Sequence, residues 1–268
     1  MRKRAALVIV GLGLLLGVSV SPAEETQTHT VYMPLVMSHS QPHKGVAMSS
    51  APVSDIDLLE ADWYYNWGIG SQTGIDDRYI PMSRCGDVPV MPVDTPYLLV
   101  FNEPNNREPY GCPIHMGGQA AEKVRAIEAA YPDTYLIVGN VAYYSYNQYM
   151  IPEYGKAWLQ DFLNYYGDYD MALGVHSYDH WSPYYYTDHL RQWNDYFTLG
   201  DYDFWLTETN IIQAVNTAEF QLLIDGAYDM FTRFAIYSNR DYSGWITHAD
   251  LVHTDGTLSD YGKIFRDR

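Results

Sequence analysis

The fold this sequence predicts is a compact (β/α)8 TIM-type barrel of the α/β class, with reduced helices in its first half. Three observations predict it. Short apolar, β-branched or aromatic runs recur eight times; the later runs alternate with amphipathic helical stretches, and several runs stop abruptly on acids, amides or aromatics, as strands do at the mouth of a parallel barrel. The 268 residues, 47% hydrophobic and 15% aromatic, are enough for one sizeable core.

The chain opens with "MRKRAALVIVGLGLLLGVSVSPA", a basic start, an apolar stretch from Ala5 to Val20 and small residues at Ser21 and Ala23. That pattern predicts a signal peptide over 1–23 and a secreted or cell-surface protein. The alternative, a retained anchor, has an apolar stretch short for a span of about 20 residues. Residues 24–43 are polar apart from "VYMPLVM", where Pro34 argues against a central strand, so they read as a linker. The catalytic barrel is then expected over 44–268.

The predicted strands are "GVAMSS" (45–50), "ADWYYNW" (61–67), "RYIPMS" (78–83), "YLLVFNE" (97–103), "YLIVGN" (135–140), "MALGVHSY" (171–178), "DFWLTE" (203–208) and "YSGWITH" (242–248). Helices are expected in "VSDIDLLEA", in "GQAAEKVRAIEAAYPD" and in "YGKAWLQDFLNYYG". A weaker one lies in "DHLRQWNDYFTLG", and the last is "NTAEFQLLIDGAYDMFTRFAIY", which Asn216 and Glu219 begin at capping-box spacing. The first strands begin too close together for full helices between them, so that wall of the barrel is expected to be thin. An open doubly wound sheet is the alternative; in such a sheet a nucleotide would be bound through a glycine-rich turn. None of the strand-to-helix turns here carries one, so nucleotide binding is not expected.

Without Arg2, Lys3 and Arg4 the mature chain keeps 13 basic against 33 acidic residues, a formal charge of −20 in place of −17. Such a surface repels nucleic acid and anionic lipid, so neither is expected as a partner of the mature domain. Cys85 and Cys112 are the two cysteines. In an exported chain they are expected to form a disulfide joining the loops after the third and fourth strands, a link contributing about 3 kcal/mol; two free thiols are the alternative.

The strand ends hold Asn66, Trp67, Asn102, Glu103, Asn140, His176, Tyr178, Glu208 and Trp245, with no lysine. Glu103 and Glu208 each follow an apolar run. Two carboxyl groups facing each other across a barrel mouth push their pKa values apart, which divides them into a proton donor and an ionised partner, as glycosidic cleavage requires. Period-2 alternation puts His176 and Tyr178 on one side of their strand, from which the phenol can donate to Glu208. Asn102 can bond a sugar hydroxyl, and Trp67 and Trp245 offer flat faces to a pyranose.

"WYYNWG", "YLLVFNEPN", "GVHSY" and "WLTETN", in this order, resemble the glycosyl hydrolase catalytic core of glycoside hydrolase family 128, close to the clan A retaining barrels. The resemblance spans about Lys44 to Arg268. It implies Glu103 as general acid/base, Glu208 as nucleophile, Asn102 as ligand of the sugar 2-hydroxyl, Tyr178 as partner of the nucleophile, and β-1,3-glucan as substrate. The chain departs from the family at "IPMSRCGD", where a tryptophan-glycine pair is expected, and at "GWITH", where an aromatic pair is expected. Retention of configuration through a double displacement follows, with carboxyl groups about 5 to 5.5 Å apart. Internal cleavage follows from the thin wall. A monomer binding a polysaccharide or oligosaccharide, with no cofactor, is the expected form.

Other readings are weaker. His176 and His180 lie on a strand end and its loop, where a four-residue spacing does not converge on a metal as it does on a helix; Asp250 and His253 lack a third ligand. "GVHSYDH" has no glycine elbow for a serine nucleophile. The rival from another class is a carbohydrate-binding barrel without catalysis, which has no need of two opposed acids.

Overall fold

The computed structural model describes residues 43–48, 53–70, 76–91, 95–106, 109, 111–114, 116–142, 153–167, 170–179, 191, 202–211, 216–240 and 250–268. The expected signal peptide, the linker short of His43, the helix expected over 188–200 and the strand expected over 242–248 lie outside them, apart from Arg191. Within them the chain runs β1 (His43–Ala47), α1 (Ser54–Leu58), β2 (Trp63–Tyr65), β3 (Met82–Ser83), β4 (Tyr97–Val100), α2 (Gly117–Ala130), β5 (Tyr135–Ala142), α3 (Glu153–Tyr166), β6 (Ala172–Asp179), β7 (Asp203–Ile211), α4 (Thr217–Met230), β8 (Arg233–Tyr237) and α5 (Asp260–Asp267). Among the described residues, no helix is long and apolar enough to cross a membrane.

All sheet pairings are parallel, in the order β2-β1-β8-β7-β6-β5-β4-β3. The two ends of that order meet where Tyr64 of β2 bridges Tyr79 just ahead of β3, with Ile80 N–H donating to the Tyr64 carbonyl at 2.9 Å. The barrel is thereby nearly closed. As the compressed spacing predicts, α1 has five residues and no described helix separates β2 from β3 or β3 from β4.

The end of one predicted helix is corrected. The eighth strand is Arg233–Tyr237, inside the stretch that sequence periodicity assigns to the preceding helix. The helix α4 stops at Met230 and only Phe231 and Thr232 separate it from β8. The capping box at its start is present: the Asn216 side chain accepts from Glu219 N–H at 3.0 Å, and the Glu219 carboxylate accepts from Asn216 N–H at 3.0 Å.

Alternation along the strands sorts the apolar residues into two layers. Leu98, Val100, Val138, Leu173, Val175, Leu206, Phe234 and Ile236 pack outward with residues of the helices, while Ala47, Trp63, Tyr65, Met82, Leu99, Ile137, Ala172, Trp205 and Ala235 fill the barrel. Gly45 makes room for the interior Trp63, since a Cβ there would lie 2.3 Å from the indole. At the amino-terminal end of β8 the Arg233 guanidinium stacks on Tyr97 and Trp205, 4.5 and 4.6 Å from the ring centres. That stack lies at the strands' amino ends, opposite the ends that carry Glu103 and Glu208.

Candidate active site

Glu208 sits well inside β7, and a bulge decides where it points. Leu206 faces the helices, and strict alternation would send Glu208 the same way. Instead β7 carries an extra residue relative to both neighbours. Val175 pairs with Leu206 but His176 with Glu208, and Phe234 pairs with Leu206 but Ile236 with Thr209. The displaced Thr207 is buried and its hydroxyl donates to the Asn140 side chain at 2.8 Å, which fixes the bulge. Glu208 thereby turns toward the barrel mouth.

Three donors hold its carboxylate. Tyr65 OH and Trp67 Nε1–H donate to Oε1 at 2.7 and 2.5 Å, and Tyr178 OH donates to Oε2 at 2.7 Å. Burial and the Glu208 charge push both phenols, Tyr65 and Tyr178, well above the usual tyrosine pKa, so they remain donors at any working pH. Sequence alternation finds the Tyr178 bond. It misses Tyr65, although Trp63, Tyr65 and Trp67 share one face at period 2.

Glu103 lies three residues beyond β4 in a tightly folded turn. Phe101 and Glu103 both have positive φ, 72° and 45°. For residues with a Cβ each such conformation costs on the order of 1 to 3 kcal/mol and persists only where surrounding bonds impose it. Here Glu103 N–H donates to the Asn140 carbonyl, and Asn105 exchanges two hydrogen bonds with the backbone of Ala142. Asn106, buried at the end of the turn, donates from Nδ2 to Glu103 Oε2 at 2.8 Å. Sequence reasoning misses Asn106, whose three-residue offset from Glu103 is the one signal available.

His176 links the two acids. Its Nδ1 lies 3.1 Å from Glu103 Oε1 and 3.4 Å from Glu208 Oε2. Burial alone would lower the imidazole pKa, but the charges of Glu208 and Glu103 outweigh it and hold the group above the usual 6.5. A folded-state pKa above the unfolded one means that this contribution to stability is complete below pH 6.5 and fades as pH rises through the raised value. The melting-temperature advantage of the native chain over His176→Gln is therefore expected to shrink between pH 6 and 9; thermal unfolding across that range measures it, and a constant gap contradicts it.

Ligand atoms of Glu103, His176 and Glu208 all lie within 4.8 Å of one another, the one set of donors among the described residues placed to converge on a metal ion. Both Glu208 oxygens already accept hydrogen bonds, Oε1 from Tyr65 and Trp67 and Oε2 from Tyr178. Acid–base chemistry fits this arrangement better.

The remaining expected residues are placed as follows. Asn102 is buried beside Glu103. Trp67 meets Glu208 through its indole N–H, while its ring packs edge-on to Tyr65 and Tyr237. Asn66 is turned to the loop that follows β2: its oxygen accepts from Tyr79 OH at 2.6 Å and its amide points to the Gly70 carbonyl. Trp245 lies outside the described residues. Tyr237, at the end of β8, is half-buried and packs against Trp67 and Tyr178, an aromatic at the mouth that the overlong predicted helix concealed.

The profile of the glycosyl hydrolase catalytic core family matches residues 45–265. No curated protein sequence matches significantly. Among solved structures the chain is similar to a family 128 subgroup II endo-β-1,3-glucanase from Sorangium cellulosum, with a TM-score of 0.65 and 22% identity over 84% of this chain and 97% of that one. It is also similar to a subgroup III curdlan-specific exo-β-1,3-glucanase from Blastomyces gilchristii in complex with glucose, with a TM-score of 0.62 and 18% identity over 84% and 98%. A third is a subgroup VII oligosaccharide-binding protein from Trichoderma gamsii, with a TM-score of 0.58 and 14% identity over 84% and 93%.

Proposed function

The chain belongs to the glycosyl hydrolase catalytic core family, and from that premise we propose that it is a secreted, retaining endo-β-1,3-glucanase in which Glu208 is the nucleophile and Glu103 the general acid/base. The observation that carries this reading is that ligand oxygens of the two glutamates lie within 4.8 Å of one another, close enough for both carboxylates to reach one anomeric carbon, as direct attack requires. In the first step the Glu208 carboxylate bonds to the anomeric carbon while protonated Glu103 gives its proton to the departing glycosidic oxygen. In the second, Glu103 takes a proton from water, whose oxygen attacks the same carbon and frees Glu208. His176 stands between the acids and moderates their mutual repulsion as the proton leaves and returns to Glu103.

Glu208 accepts from three donors and Glu103 from one amide, with the His176 imidazole beside both. Similarity to β-1,3-glucanases supports the substrate, the thin first wall supports an open cleft and internal cleavage, and the apolar leader supports export. A monomer acting on a neutral polysaccharide without a cofactor completes the reading. Incubation with laminarin, curdlan and mixed-linkage glucan tests it: oligosaccharides of several lengths are expected early from the β-1,3-linked polymers. Glucose or a single short product appearing alone would mean attack from chain ends.

Removing the Tyr178 hydroxyl takes from Glu208 Oε2 the hydrogen bond that orients it. The Tyr178→Phe variant is expected to lose about 10- to 100-fold in kcat, corresponding to one hydrogen bond to a charged group, with KM little changed. Steady-state kinetics on laminarin measure the split.

The second reading is a barrel that binds oligosaccharide without cleaving it, as the Trichoderma gamsii protein is described. Binding of laminarin-derived oligosaccharides with no new reducing ends would favour it. The bonded, opposed acids favour hydrolysis.

A further inference from the structure

The geometry points to the Cys85–Cys112 disulfide as a positioning element for the acid/base Glu103, acting on acid catalysis as well as on stability. The inference rests on the proposed roles of Glu103 and Glu208. The bridge joins the loop after β3 to the end of the turn that carries Glu103, with Cα atoms 5.4 Å apart. Between its two halves lies Asn102, the residue before Glu103. Asn102 N–H donates to the carbonyl of Arg84, next to Cys85, and the Asn102 carbonyl accepts from the N–H of Cys112 itself, at 2.9 and 3.0 Å. The sulfur bridge and these two bonds form a closed ring through one residue, Asn102, and Glu103 is attached to it.

Residues beside both cysteines press on the same segment. Gly86 packs so closely on Phe101 that a Cβ would fall 2.1 Å from its ring, and Gly111 so closely on Glu103 that a Cβ would fall 2.2 Å from its carbonyl oxygen. Phe101 and Glu103 are the two non-glycine residues of this turn with positive φ, a conformation the chain would leave if released. The Arg84 guanidinium adds a bond to the Pro109 carbonyl at 2.7 Å. With the bridge open, hydrogen bonds and packing join the two loops without a covalent link, and the Asn102–Glu103 peptide can turn toward ordinary dihedral angles. That rotation would swing the Glu103 carboxyl away from Asn106 and His176, while Glu208, held from β2, β6 and the loop after β2, stays in place.

A leaving-group comparison separates this role from a purely structural one. A glucan leaves as a sugar alkoxide and needs the Glu103 proton; an aryl laminaribioside with a 2,4-dinitrophenolate leaving group does not. The Cys85→Ala/Cys112→Ala variant, assayed well below its melting temperature, is expected to lose about 10- to 100-fold in kcat/KM on laminarin through kcat, in keeping with an ångström-scale misplacement, and less than about threefold on the aryl substrate. Native protein treated with a dithiol, which passes two electrons and two protons to the bridge and becomes a cyclic disulfide, should show the same contrast until it is reoxidised. Equal losses on both substrates, or no loss on either, overturn the inference while leaving the hydrolase reading intact. Unfolding of both the variant and the reduced protein also overturns it, since the bridge would then serve the fold alone. A native protein that cleaves neither substrate overturns the hydrolase reading and this inference with it.

Discussion

The Glu208→Gly variant is expected to lose at least about 10⁴-fold in turnover of β-1,3-glucan, because the proposed covalent intermediate forms on Glu208. The side chain is nearly buried and its place is surrounded by the donors Tyr65, Trp67 and Tyr178. Removing it leaves a small anion-friendly space on one face of the anomeric carbon. Azide entering that space should restore cleavage of an activated aryl β-laminaribioside and yield the α-glycosyl azide, identified by NMR. Unchanged activity of the variant would exclude Glu208 as nucleophile; a β-azide would place the attacking anion on the other face.

Replacing Glu103 by Gln is expected to act differently. On glucan kcat/KM should fall by about 10² to 10⁴-fold, the usual contribution of general acid catalysis, while on the dinitrophenyl glycoside it should change little. The deglycosylation step also loses its base, so the glycosyl-enzyme should accumulate and azide should release it as the β-glycosyl azide. The paired variants thus give opposite azide anomers from one active site. A general loss of binding cannot mimic that result. If Glu103→Gln loses equally on both substrates, the acid assignment fails even if Glu208 stands.

Much of the architecture is legible in the sequence because a parallel strand buried on both faces reads as an uninterrupted apolar run. "YLLV", "YLIVGN" and "DFWLTE" all fall on β4, β5 and β7. The same property hides β8. "FTRFAIY" continues the apolar spacing of α4, with no glycine or proline to mark the break, so Phe234 and Ile236 read as further turns of helix. In the structure they face outward against the helix layer, while Ala235 faces the barrel.

The site was legible where the chemistry is unusual and hidden where backbone irregularity decides. An acid ending an apolar run draws attention to Glu103 and Glu208 without any knowledge of their surroundings. That Glu208 faces the mouth depends on the Thr207 bulge, which alternation cannot anticipate. The role of Trp67 shows the same limit. Its place at a strand end offers it as a flat face for sugar; that its indole N–H also reaches Glu208, with a positive φ of 58°, is visible only in the structure. Asn106 is inconspicuous as the last residue of "NEPNN" until the turn brings its amide back onto Glu103.

The central claim is that two carboxylates brought within reach of one sugar carbon cleave β-1,3-glucan by double displacement. Proton NMR of the first products from laminarin, followed faster than mutarotation, tests it most directly. The account predicts that the new reducing ends appear as the β-anomer and only later equilibrate with the α-anomer. Initial release of the α-anomer would contradict it.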